Sequence, residues 1–81
     1  MYKTRITYQK KVNNDLISIA PIFNTITSEY SPRIVEGFIK FIDVTLIENS
    51  NGEIIENYRD KKETLLVVNS DLIATMLTWS E

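Results

Sequence analysis

No cysteine occurs anywhere in the 81 residues, so packing alone must hold whatever fold the chain adopts. That constraint bites at this size, because a short domain buries a smaller fraction of its surface than a long one. A hydrophobic fraction of 43% is close to the globular norm and argues against wholesale disorder. Chains divide into units of about 100–200 residues, so residues 1–81 are expected to form one domain.

The absence of cysteine also limits chemistry. With no thiolate and no histidine, no zinc site, Cys-His pair or Ser-His pair can be assembled, and the usual general base near neutral pH is missing. The two glycines, Gly37 and Gly52, are too far apart for a phosphate-cradling loop. The carboxylates at Asp43, Glu48, Glu53, Glu56, Asp60 and Glu63 match no calcium loop and are interleaved with Arg59, Lys61 and Lys62, which reads as a solvated charged hairpin. The expectation is a protein that is not an enzyme and carries neither metal nor cofactor.

Period-two patterning opens the chain. Tyr2, Thr4, Ile6 and Tyr8 point one way and Lys3, Arg5, Thr7 and Gln9 the other, as in a half-buried strand. Asn13-Asn14 tolerate the positive φ of a tight turn. A hairpin closed there sets Val12 opposite Asp15, Lys10 opposite Ile17 and Tyr8 opposite Ile19, with Pro21 ending the second strand. Residues 22–31 show no clean period and read as a connection.

Ser31 and Pro32 then resemble the N-cap and first position of a helix. At helical spacing Ile34, Val35, Phe38, Ile39, Phe41 and Ile42 fall in one stripe roughly 160° wide, which predicts a helix over 32–43. Residues 44–49 and 53–58 flank Ser50-Asn51-Gly52, a hairpin signal. A three-residue loop with Gly52 in the left-handed position pairs Ile47 with Ile55 and Val44 with Tyr58. Residues 64–68 read as a buried strand. Asn69-Ser70-Asp71 supplies cap chemistry for a last helix, whose apolar stripe is Leu72, Ile73, Met76, Leu77 and Trp79. The expected fold class is therefore α+β: an antiparallel sheet of about five strands with two amphipathic helices, in the order ββ-α-βββ-α.

Charge is unevenly placed. Lys3, Arg5, Lys10 and Lys11 give the first 12 residues a charge of +4, and the remainder carries −6. Two readings of function follow, with a third from the last helix. The first is a small regulatory protein, an inhibitor or adaptor, that occupies the surface of a protein partner through Glu48, Glu53, Glu56 and Asp60, with Met76 and Trp79 as contact residues of types enriched at interfaces. The second is a nucleic-acid-binding module in which Lys3, Arg5, Lys10 and Lys11 track phosphates. Against it, Tyr2 and Tyr8 lie on the face opposite the cations, where bases cannot stack beside them. The third is a structural subunit or homodimer joined through the Trp79 helix, a surface that the domain's own core equally has use for.

Met1 leads into polar alternation without the charged-then-apolar order of a signal peptide, and the longest apolar run, residues 65–68, is far below the roughly 18 residues of a membrane span. No membrane association and a cytoplasmic location, in the producing or host cell, are expected. Twelve Ile and seven Asn against two Ala and two Gly point to AT-rich codons, the usage expected of a short phage or mobile-element protein.

Overall fold

A computed structural model describes residues 1–8, 10–12, 15–17 and 23–81. The chain order is β1 (Tyr2–Tyr8), β2 (Lys10–Val12), β3 (Asp15–Ile17), β4 (Phe23–Ser28), β5 (Arg33–Val35), β6 (Phe38–Ile42), β7 (Val44–Glu48), β8 (Ile54–Asn57), β9 (Leu65–Asn69), a 3₁₀ turn (Ser70–Leu72) and β10 (Ile73–Ser80). Eight of these strands form two antiparallel sheets, ordered β10-β1-β4-β7-β8 and β5-β6-β9, while β2 and β3 make a separate ladder. The α+β expectation is overturned: among the described residues the 3₁₀ turn is the only helical segment.

The expected helix over 32–43 is a hairpin. Glu36 (φ 38°) and Gly37 (φ 83°) form a two-residue turn with positive φ at both positions, and Val35 pairs with Phe38 across it. A two-residue turn resets a period of two, so apolar residues on both faces of two short strands imitate a helical stripe. A second reset follows at Asp43 (φ 55°), where the chain leaves the small sheet and enters the large one as β7. With both breaks in place, the absence of alternation along residues 34–48 no longer argues against strands. The β-branched and aromatic content of the segment favours that outcome.

The second expected helix fails for a different reason. Asn69 does cap: its Oδ1 accepts the Asp71 N–H at 3.0 Å. One turn later Ile73 is extended (φ −102°, ψ 124°), and β10 pairs with β1 from Tyr2↔Ser80 to Tyr8↔Ile73. An isolated helix of this length is marginal in water, whereas a ladder along a whole neighbouring strand satisfies every second backbone group and buries one face. The stripe splits accordingly. Ile73 and Met76 pack on the core, while Leu77 and Trp79 lie across from Arg5 and Lys3 on the other face.

Residues 22–31 hold a further correction: β4 is the central strand of the large sheet, between β1 and β7. Its core-facing positions are Asn24, Ile26 and Ser28, so the alternation is not one of polar against apolar. Among the local readings, the Asn13-Asn14 hairpin has the expected register, Val12↔Asp15 and Lys10↔Ile17. The remaining parts of that reading, Asn13-Asn14 themselves, Ile19 and Pro21, lie outside the described residues. Tyr8 pairs with Ile73 on β10.

At the other hairpin the three-residue loop is as expected, with Gly52 at φ 80° and Asn49 and Glu53 closing it through a 2.9 Å backbone bond. A bulge shifts the register beyond it, so Ile47 faces Glu56 and the Tyr58 N–H reaches the Thr45 carbonyl. Ile54 and Ile55 are consequently 52% and 48% exposed and contribute little to the core. The 64–68 reading yields β9, which is one-sided, with Leu66 and Val68 inward and Leu65 and Val67 exposed.

The core lies between the sheets. Ile6, Ile26, Val44 and Ile47 from the large sheet meet Ile39 and Phe41 from the small one, and Ile73 and Met76 pack against them. Thr4, fully buried, has its hydroxyl 3.0 Å from that of Thr78 across the β1–β10 pair, so both find a partner on the dry side.

Candidate interaction face

The outer face of the large sheet follows from the register. Residues directly opposite on antiparallel strands share a face, so the face is built of cross-strand rows. One runs Trp79–Lys3–Thr27–Leu46–Asn57 and the next Leu77–Arg5–Thr25–Glu48–Ile54; a shorter third holds Thr75, Thr7 and Phe23. Diagonal neighbours in such rows lie within reach of long side chains. Arg5 uses both diagonals: its guanidinium carbon is 4.3 Å from the centre of the Phe23 ring and 5.8 Å from that of Trp79. A cation over an aromatic face gains about 0.5–1 kcal/mol at exposed sites. Here it also fixes a long side chain that would otherwise sample many rotamers.

These three side chains border a shallow depression of about 260 Å³, together with Lys3, Thr25 and Glu48, and the 49–52 turn closes one end. Lys3 Nζ lies 3.3 Å from the Glu81 carboxylate in a partly exposed pair, which contributes little to stability. The face therefore presents two cations and two carboxylates around an aromatic centre.

The residues singled out from sequence are redistributed. Lys3, Arg5, Glu48 and Trp79 come together on this face although they were assigned to opposing readings. Glu53 sits beside the turn, Glu56 on the exposed edge strand β8, and Asp60 in the exposed turn that follows it. Met76 is turned inward against the core. Lys10 and Lys11 stand on β2, where only the backbone is described. Phe23, Thr25 and Leu77 were missed, because nothing local in residues 22–31 or 72–79 ties them to β1. Tyr2 and Tyr8 do lie on the face opposite the cations, yet the neighbouring strands bring aromatics to them from either side.

Among the described residues no three carboxylates converge to hold a metal ion, and no helix is long and apolar enough to cross a membrane. The chain matches no protein-family model, no curated protein and no solved structure.

Proposed function

We propose that this chain is a non-enzymatic binding module that acts as an inhibitor or adaptor by seating a partner protein on the outer face of the large sheet. The observation that carries the reading is the Phe23–Arg5–Trp79 cluster. Trp and Arg are the residue types that dominate binding energy at protein interfaces, and here they are gathered on the adjacent strands β10 and β1 at one side of the sheet and already ordered against one another. Lys3 with Glu81, and Glu48 two positions along the row from Arg5, make the surroundings mixed in sign. A mixed rim complements a protein surface better than a uniformly negative phosphate backbone. The acidic residues named from sequence are dispersed, so the weight of the reading moves from Glu53, Glu56 and Asp60 to Arg5 and Trp79.

Affinity capture from a bacterial lysate, with and without nuclease, tests this. The expected result is one protein retained in both conditions by the native chain and by Glu56→Lys, and lost from Trp79→Ser and Arg5→Ala variants that still fold. Retention by Trp79→Ser would remove the face from consideration.

One observation favours nucleic acid as the alternative. Trp79 and Phe23 flank Arg5, with Lys3 beside Trp79, which supplies the stacking partners that β1 alone lacks. Nuclease-sensitive capture, with Trp79 fluorescence quenched by oligothymidine and restored by salt, would move the assignment there.

A further inference from the structure

On the same face, in the row containing Lys3, Thr27 and Leu46 are only 6% and 9% exposed although their register turns them away from the core. They lie at a recess of about 440 Å³, whose walls include Thr45, Lys3, Arg59 and Glu81. That size falls in the range of small-molecule sites, which combine apolar lining with a few placed polar groups. Leu46 supplies the apolar lining.

Two polar groups of this recess lack partners. Thr27 Oγ1 is buried and makes no hydrogen bond, while the neighbouring Thr45 hydroxyl is engaged, donating to the Thr27 carbonyl at 3.3 Å. A buried hydroxyl left unpaired carries its full desolvation cost, and a rotation about the Thr27 Cα–Cβ bond that turns it toward the recess would let a ligand atom relieve that cost. Of the two cations in the walls, Lys3 is held by Glu81, whereas the Arg59 guanidinium makes no ion pair among the described residues. Its planar fork of donors matches a carboxylate, which it can grip through two parallel hydrogen bonds.

We propose that this recess is a binding site for a carboxylate on a short apolar stem that carries one further hydrogen-bonding group. Arg59 takes the carboxylate, Leu46 the stem and the Thr27 hydroxyl the third group. An N-acylated apolar amino acid has all three features, either as a free molecule or as the C-terminal residue of another chain. Its binding groups, Arg59, Leu46 and Thr27, are not among those of the Arg5–Trp79 depression, although the two share Lys3 and Glu81 along their border.

Titration of the ¹⁵N-labelled full chain with N-acetyl-leucine is the test. Saturable shifts are expected at the Thr27, Thr45, Leu46 and Arg59 amides, with the rest of the spectrum unchanged. Losing a charge-assisted bond should weaken binding about tenfold or more, both for N-acetyl-leucine amide on the native chain and for N-acetyl-leucine on Arg59→Met. Thr27→Val should weaken it by about threefold or more. A peptide ending in leucine that binds about tenfold tighter than N-acetyl-leucine would identify a chain terminus as the natural source; equal or weaker binding would identify the free molecule. No saturation with either probe, or an affinity that neither the amide nor Arg59→Met lowers, would overturn the site.

Discussion

At Thr27 the strand register and the hydrogen-bonding needs of one side chain conflict. The residue is held in the middle of the large sheet by pairs on both sides, and its hydroxyl is covered without being satisfied. Replacing it with valine keeps the shape and the β propensity while removing the unpaired oxygen. Thr27→Val should therefore raise unfolding free energy by about 1 kcal/mol, read as a higher midpoint in urea with unchanged slope. A stabilised variant that binds N-acetyl-leucine less well would mark the hydroxyl as retained at a cost in stability. Thr4, whose hydroxyl is met by Thr78, should respond in the opposite direction to the same substitution.

Among the elements, the β5–β6 hairpin carries the clearest lesson about local sequence. Glu36 occupies a left-handed position, which costs an ordinary L-residue about 1–2 kcal/mol and asparagine less. Glu36→Asn creates the Asn-Gly pair preferred by such turns and should stabilise the chain by about 0.5–1 kcal/mol, measured by denaturant titration. Were residues 32–43 helical, the same change would lower stability, since asparagine is a poorer helix former than glutamate. What could be read from sequence was what neighbours along the chain decide: the alternation of β1, the register next to Asn13-Asn14 and the three-residue loop ending at Gly52. The rest was hidden where strands are short and reset by turns, as at Glu36-Gly37 and Asp43. It was hidden again where the partner is distant, as for β10 beside β1, or where the inward face is polar, as in β4. The candidate site shared this fate. Lys3, Arg5, Glu48 and Trp79 each stood out singly, but only the order β10-β1-β4-β7 makes them one surface.

For the molecule as a whole, the large sheet joins the two ends of the chain, and β1 lies between β10 and β4. The pairing of β1 with β10 spans more than sixty residues, so the entropy of closing that loop disfavours its early formation. Deleting residues 73–81 removes Ile73 and Met76 from the core, strips β1 of one ladder and leaves the buried Thr4 hydroxyl unpaired. The truncated chain should lose its cooperative thermal transition, which calorimetry would detect as the absence of a heat-absorption peak. An intact transition would mean that the two sheets hold together without β10.

Met1 and Glu81 both border the recess beside Lys3, and the Glu81 N–H bonds the Met1 carbonyl at 2.9 Å. An affinity handle or fluorophore fused at either end is thereby planted over the surface on which binding is to be observed, and can mask the partner it is meant to retrieve. The small sheet offers a cleaner attachment point. With no native thiol in the sequence, a single cysteine introduced at the exposed Arg33 would take one label at one position. Immobilised through that strand, the protein would turn its other broad surface, with Arg5 and Trp79, outward to the solution.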